Sequence, residues 1–258
     1  MKNLLILFFF FFIYASLIAQ DDEYIIEDPS KKGVNATFDK TQISNPDYTS
    51  YFLMPTAFTL KKKEIRLAST DLVFAKGSYG LSDRTTVSIN LSAFTMLTLG
   101  LKHSIKVSED ITIAGTISGG QLLNINPDTL SFIGGANLLI SFGDIQNNFS
   151  AGVGLYYMYS NFDFIDEDRE ITFFHFFIGA QRQISKKLYL VIDGIYFPTY
   201  QVYTGGIGVK LTLGKKISLG LGIMPIAWND VSTNRGVELQ PVAIPLLSFK
   251  MLLNKQRD

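Results

Sequence analysis

The stretch Ile111-Thr112-Ile113-Ala114-Gly115-Thr116-Ile117-Ser118 sets Ile111, Ile113, Gly115 and Ile117 at one parity and Thr112, Ala114, Thr116 and Ser118 at the other. Period two is the period of a strand, whose successive side chains leave the backbone on opposite faces, and no apolar three-four spacing competes with it. The same division extends in both directions. Upstream, Val87, Ile89 and Leu91 oppose Thr86, Ser88, Asn90 and Ser92, and Leu97, Leu99 and Leu101 oppose Thr98, Gly100, Lys102 and Ser104. Downstream, Phe149, Ala151, Val153, Leu155 and Tyr157 oppose Ser150, Gly152, Gly154 and Tyr156. Ile207, Val209, Leu211 and Leu213 oppose Gly206, Gly208, Lys210 and Thr212, and Ile217, Leu219, Leu221 and Ile223 oppose Ser218, Gly220 and Gly222.

The polar parity is made mostly of Gly, Ser, Thr and Ala, with Lys102, Arg182, Asp193 and Lys210 as its scattered charges. A water-facing exterior carries abundant Lys, Glu and Asp, so a small polar face suits an enclosed lumen, and the four charged residues are read as lumen-facing. The apolar parity then faces acyl chains. In hydrocarbon every backbone polar group needs an internal partner, which an open sheet cannot supply at its edges, so the sheet must close.

Two kinds of connection alternate between the strands. Leu81-Ser82-Asp83-Arg84, Val107-Ser108-Glu109-Asp110, Phe142-Gly143-Asp144, Ile184-Ser185-Lys186-Lys187 and Leu213-Gly214-Lys215-Lys216 are short, each running from an apolar residue through Ser or Gly to charge. Residues 121–129, 161–169, 197–201 and 228–238 are longer, polar, aromatic or Pro-bearing. Short turns at one rim and long loops at the other are the pattern of a transmembrane antiparallel up-and-down β-barrel. The chain is therefore all-β, and five short turns imply about twelve strands, at 64–71, 73–81, 85–93, 96–107, 111–120, 130–142, 148–160, 169–183, 188–197, 202–213, 217–227 and 239–251. The first two carry the open point: Ile65 and Leu67 change phase to Leu72 and Phe74, which fits a tight reversal near Asp71 or a bulge in one longer strand, leaving ten or fourteen strands as alternatives.

Outside the strands, Lys2, the apolar run from Leu4 to Tyr14 and Ala15-Ser16-Leu17-Ile18-Ala19 match the three regions of a secretory signal peptide, expected to span residues 1–19. Residues 20–60 then form a periplasmic N-terminal segment and 61–258 the barrel. Tyr48, Tyr51, Phe52, Leu53, Met54 and Phe58 in that segment show no clear alternation. A lumen lined by glycine and serine leaves volume for water or protein, and the sharper expectation is that Tyr51 to Leu60 enters it.

The 258 residues hold 23 basic and 23 acidic side chains with no Lys/Arg cluster, which removes the electrostatic footprint of nucleic-acid binding. No cysteine is present, so disulfides, thiolate metal sites and lipid attachment through an N-terminal cysteine are excluded.

The segments Asn45-Pro46, Tyr51-Phe52, Pro55-Thr56-Ala57-Phe58 and Leu60-Lys61-Lys62, followed by Tyr79-Gly80-Leu81-Ser82-Asp83, resemble the opening of a family of uncharacterised bacterial outer-membrane β-barrel proteins of Gram-negative envelopes. The resemblance covers the first strands and implies export and a barrel. It implies no activity.

Two histidines bound the enzyme hypothesis. Outer-membrane lipid hydrolases place a nucleophilic Ser and its His on one face of a strand, whereas His103 and Ser104 are adjacent and point apart. His175 lies among phenylalanines, where an interfacial aromatic is the simpler role. Asp163, Asp166, Glu167 and Asp168 form an acidic loop whose spacing matches no EF-hand, so a solvated outer loop is expected in place of a calcium site. Tyr156, Tyr157, Tyr159 and Phe162, Phe173 to Phe177, Tyr196, Phe197, Tyr200, Tyr203 and Trp228 suit interfacial girdles. The sequence thus predicts a non-enzymatic outer-membrane barrel without cofactor or catalytic residue, in contact with membrane lipid, and a narrow passive pore for small polar solutes. The alternatives are a structural or accessory barrel that binds another envelope protein and, third, a lipid-modifying enzyme.

Overall fold

The computed structural model describes residues 45–71, 74–92, 96–122, 131–160, 169–228 and 242–253. Twelve strands follow one another as β1 (Ile65–Thr70), β2 (Phe74–Ser82), β3 (Thr85–Ser92), β4 (Met96–Lys106), β5 (Ile111–Leu122) and β6 (Ser131–Gly143), then β7 (Asn148–Ser160), β8 (Arg169–Gln183), β9 (Leu188–Phe197), β10 (Val202–Leu213), β11 (Ile217–Trp228) and β12 (Val242–Leu253). Each pairs antiparallel with its sequence neighbours, and β1 pairs with β12 from Ile65↔Leu253 to Thr70↔Ser248, closing a barrel without edges.

The phase change near Asp71 is a reversal between two strands. Thr70 faces Phe74 across the β1–β2 ladder, and Asp71 has a left-handed backbone (φ 52), which an aspartate tolerates better than most residues. Ten and fourteen strands are thereby set aside.

The final strand is described over Val242–Leu253, the expected residues 239–241 falling outside the described ones, and contains Pro245. Leu247 donates its backbone N–H to Asp71 Oδ1 (2.6 Å) on the β1 side, so the N–H that Pro245 lacks, two residues earlier, would have pointed the same way. The β1–β12 ladder has ended there at Thr70↔Ser248, and the proline breaks no rung.

Alternation sorts the two faces. Outward, Leu99 and Ile117 are 64% and 60% exposed, and Ile89, Leu138, Ile178, Ile192, Ile207 and Leu221 are exposed as well around the circumference. An apolar band of that extent matches hydrocarbon and not water. Inward, Ser78, Thr86, Ser104, Thr112, Ser141, Ser150, Thr212 and Ser218 are buried.

At one rim lie the five short connections, and β1 begins and β12 ends there too. The acidic residues Asp163, Asp166, Glu167 and Asp168 and the aromatic Phe162 fall outside the described residues.

Several aromatics assigned to interfacial girdles turn the other way. Tyr157, Phe174, Phe176 and Tyr203 do lie on the outer face, but Phe173, Phe177 and Phe197 share the inward parity with Tyr156. The cause is the run Phe173-Phe174-His175-Phe176-Phe177, in which both parities are aromatic and hydrophobicity carries no phase.

Candidate functional site

The lumen is occupied from the short-turn rim by residues 45–64. This segment has no repeating backbone pattern of its own apart from the bridge between Ser50 and Pro55, so its shape is set by side chains of the surrounding strands. It touches every strand. Arg66 of β1, Thr86 of β3, Ser104 and Lys102 of β4, Ser141 of β6, Asn148 and Ser150 of β7, Asp193 of β9, Lys210 of β10 and Lys250 of β12 all bond to it. Lys63 donates its N–H to Gly80 O of β2 (2.8 Å), and Ala57 packs against Ala114 of β5. On β8 and β11 glycines make the room: a Cβ at Gly179 would overlap the Tyr51 ring, and one at Gly220 the Phe52 ring.

Asp47 is the segment's anchor. It is fully buried, and its carboxylate meets Lys210 Nζ at 2.5 Å, Lys250 Nζ at 2.7 Å and Arg66 Nη1 at 3.4 Å, three cations from β10, β12 and β1. Burial alone would push this carboxyl up, but the charges of Lys210, Lys250 and Arg66 outweigh it and hold the group below the ordinary carboxylate range. Both lysines also donate to the segment's backbone, Lys210 to Ser50 O (2.8 Å) and Lys250 to Tyr51 O (2.6 Å), so each cation holds two points of one turn. Phe52 lies under Lys210, with Nζ 5.8 Å from the ring centroid.

On β9, next to the β10 strand of Lys210, the polarity of the anchor is reversed. Asp193 Oδ2 accepts the backbone N–H groups of Leu53 (2.7 Å) and Met54 (2.8 Å), a carboxylate from the wall taking two adjacent amides of the segment. The Tyr51 hydroxyl is pushed up by burial and stays neutral, and it donates to Asn148 Oδ1 at 2.6 Å. Its single proton is then used, so Ser150 donates to Tyr51, and Ser141 in turn donates to Ser150. Ser141 Oγ accepts the N–H of Ala57 at 2.7 Å, which completes a relay from β6 through β7 into the segment. Around these polar ties, Tyr51 and Phe52 pack with Tyr189, Val191 and Leu246, while Tyr48 and Leu60 pack with Leu252.

Beyond the segment, on the side away from the short turns, a cavity of about 580 Å³ remains. Its floor is Thr49, Ser50 and Phe52 to Pro55. Its wall is divided: β1 to β5 supply Arg66, Lys76, Lys102, Ser88, Asn90, Thr98, Thr116 and Ser118, and β7 to β9 supply Tyr156, Phe173, His175, Phe177 and Phe197. Those rings pack on one another, Tyr156 on Phe173 at 5.7 Å and on His175 at 5.3 Å between centroids, and His175 on Phe197 at 5.8 Å.

Of the four charged residues read from the sequence, Lys102, Asp193 and Lys210 point inward, and all three bind the segment, Lys102 through Thr56 O (3.0 Å) and Thr49 O (3.4 Å). Arg182 corrects that reading: it is exposed and shares the outer parity of β8 with Phe174, Phe176 and Ile178, at the short-turn end. The phase error is the one the aromatic run of β8 conceals. His175 is likewise not interfacial but 5% exposed within the lumen's aromatic wall. His103 is on the outer face beside Thr85, with Nδ1 3.0 Å from its Oγ1, while Ser104 points inward to Thr59.

Arg66 and Lys250 were missed, although Ile65 and Leu67 flank the one and Phe249 and Met251 the other, so alternation marks both as inward. Asp47 carried no such signal, since its segment does not alternate.

No protein-family model and no curated protein sequence matches the chain. Among solved structures it is similar to the NanC porin in a rhombohedral crystal form, at 9% identity and a TM-score of 0.42, over 73% of this chain and 97% of that one. It is also similar to the KdgM porin in complex with disordered oligogalacturonate, at 8% identity and a TM-score of 0.39, over 73% of this chain and 95% of that one. A third is the Acinetobacter baumannii outer membrane protein Omp33, at 10% identity and a TM-score of 0.37, over 74% and 97% of the two chains. At that level of superposition no solute and no activity passes from them to this chain.

Proposed function

We propose that the chain is exported by residues 1–19 and inserts into a Gram-negative outer membrane, where it serves as a non-enzymatic, narrow passive pore for small polar solutes. Residues 20–60 begin in the periplasm, and residues 45–64 close the lumen from that side. The single observation that carries this reading is a hydroxyl- and lysine-lined chamber of about 580 Å³ inside a closed barrel, with an apolar exterior and a floor made by a segment that belongs to no strand. Strands cannot part without exposing backbone groups to lipid, whereas a segment held by side-chain bonds can leave without breaking the ladder. Lipid is the partner of the outer face.

The test is planar-bilayer conductance of the full mature chain beside a chain lacking residues 21–60, each first shown to be a folded barrel by heat-modifiable gel mobility. The truncated barrel is expected to conduct in steps well above those of the full chain. Equal conductance counts against closure by the segment, and silence from both folded barrels overturns the pore. The second reading, an accessory barrel that binds another envelope protein, is favoured by how thoroughly the segment is tied down, and it gains support from a silent bilayer with a stoichiometric partner.

A further inference from the structure

The division of the chamber wall has a chemical meaning beyond passage. Arg66, Lys76, Lys102 and Lys250 line the cavity, and no described Asp or Glu side chain does. Arg66 and Lys250 are ion-paired with Asp47 below, a carboxylate they share with Lys210, and Lys102 is held by backbone carbonyls. Lys76 makes no ion pair or hydrogen bond among the described residues; Ser78 and Asn90 beside it on the inward faces are neutral, and the charged groups near it, Arg66 and Lys102, are cations as well. An ammonium group half out of water with no counter-charge is stabilised by whatever anion enters.

The opposite wall is placed to take the rest of such a molecule. Lys76 is on β2, and Phe173 is on β8, six strands away in either direction around the closed ring of twelve, so the two walls face one another across the full width of the lumen. There Tyr156, Phe173 and Phe197 are only partly buried, with His175 and Phe177 packed beside them along the same wall. An aromatic shelf open to a polar chamber accepts the flat apolar face of a ring.

We infer that the chamber is a binding site for a small organic anion built on one ring, its carboxylate at Lys76 and its ring face against Tyr156, Phe173 and Phe197. The volume is that of a site for a single small solute. This deepens the pore reading by naming the solute class, and it rests on that reading only for the consequence that the bound solute passes through. Two sources share the chemistry, aromatic acids and sugar acids.

The test measures binding, so it does not depend on conduction. Saturation-transfer NMR on the detergent-solubilised full mature chain is run with benzoate, with glucuronate and with glucose. At least one of the two anions is expected to bind, with glucose much weaker. Benzoate alone assigns aromatic acids, glucuronate alone assigns sugar acids, and both assign the shared carboxylate-on-a-ring chemistry. Lys76→Met is expected to weaken the anion by about tenfold or more, Lys76→Arg to retain it, and Lys62→Met, at an exposed rim position, to leave it unchanged, all in barrels shown to be folded by gel mobility. Binding of neither anion, glucose binding as well as they do, or undiminished binding to Lys76→Met overturns the inference. Anion binding with a silent bilayer leaves the site standing and removes the pore.

Discussion

Asp47 shows how much one buried carboxylate decides. Three cations converge on it from strands that are otherwise joined only through the barrel wall, so its removal leaves the buried Arg66, Lys210 and Lys250 facing one another. Breaking a buried ion pair from one side costs about 3–5 kcal/mol, mostly the cost of stranded charge. Asp47→Asn is therefore expected to loosen the lumen segment while the strand ladders persist. Hydrogen exchange would register it as lost protection at the amides of Leu53, Met54, Ala57 and Leu60, which bond to Asp193, Ser141 and Thr86, with the strand amides unchanged. The same group sets a pH dependence whose sign follows from its depressed pKa. Its stabilising contribution is complete above the unfolded-state value, about 4, and is lost as the pH falls through the lower folded-state value. Protection of the Ala57 and Leu60 amides, whose acceptors are the hydroxyls of Ser141 and Thr86, should thus be flat from pH 8 to about 5 and fall only in strong acid. A fall already at pH 6 would mean that another group holds the segment.

At the scale of the strand, parity is the controlling variable, and β5 offers a clean contrast between neighbours. Ile117 is outward and 60% exposed, and Ser118 is inward at the chamber. A lysine at the hydrocarbon midplane costs about 2–4 kcal/mol, and one in a watered lumen far less. Urea titration of refolding into lipid vesicles should find Ile117→Lys destabilised by about that amount and Ser118→Lys nearly as stable as the parent; equal losses would contradict the assignment of faces. This alternation, with the charged short turns, made the number, order and approximate bounds of the twelve strands legible from sequence. It was silent in two places for physical reasons. In β8 both parities are aromatic, so Arg182 was placed in the lumen and Phe173 and Phe177 at the interface. In β12 the proline at 245 is harmless only because β1 is six residues long and its ladder ends short of it, a tertiary fact. Of the lumen's charged side chains, Lys102, Asp193 and Lys210 were legible on the same terms. The Asp47 cluster was not, because it joins residues up to 203 positions apart through a segment without periodicity.

For the molecule as a whole, the strands close their ladder on one another, and residues 45–64 are held inside by side chains alone apart from their junction with β1 and β2. That separation allows the segment to be fixed without touching the wall. Thr59 Oγ1 and Ser104 Oγ lie 2.9 Å apart, close enough that cysteines at both positions put their sulfurs within reach of a disulfide bond, and the chain has no cysteine to compete. Oxidised Thr59→Cys/Ser104→Cys barrel can no longer withdraw the segment past β4. If solute flux needs that withdrawal, the oxidised double variant is silent in a bilayer under conditions where the parent opens, and dithiothreitol restores the parent's openings, while each single variant behaves as the parent throughout. If instead current flows around a seated segment, oxidation leaves it unchanged, and the closing element has to be sought at the long-loop end. The outcome separates a barrel with a removable stopper from one with a permanent, permeable constriction.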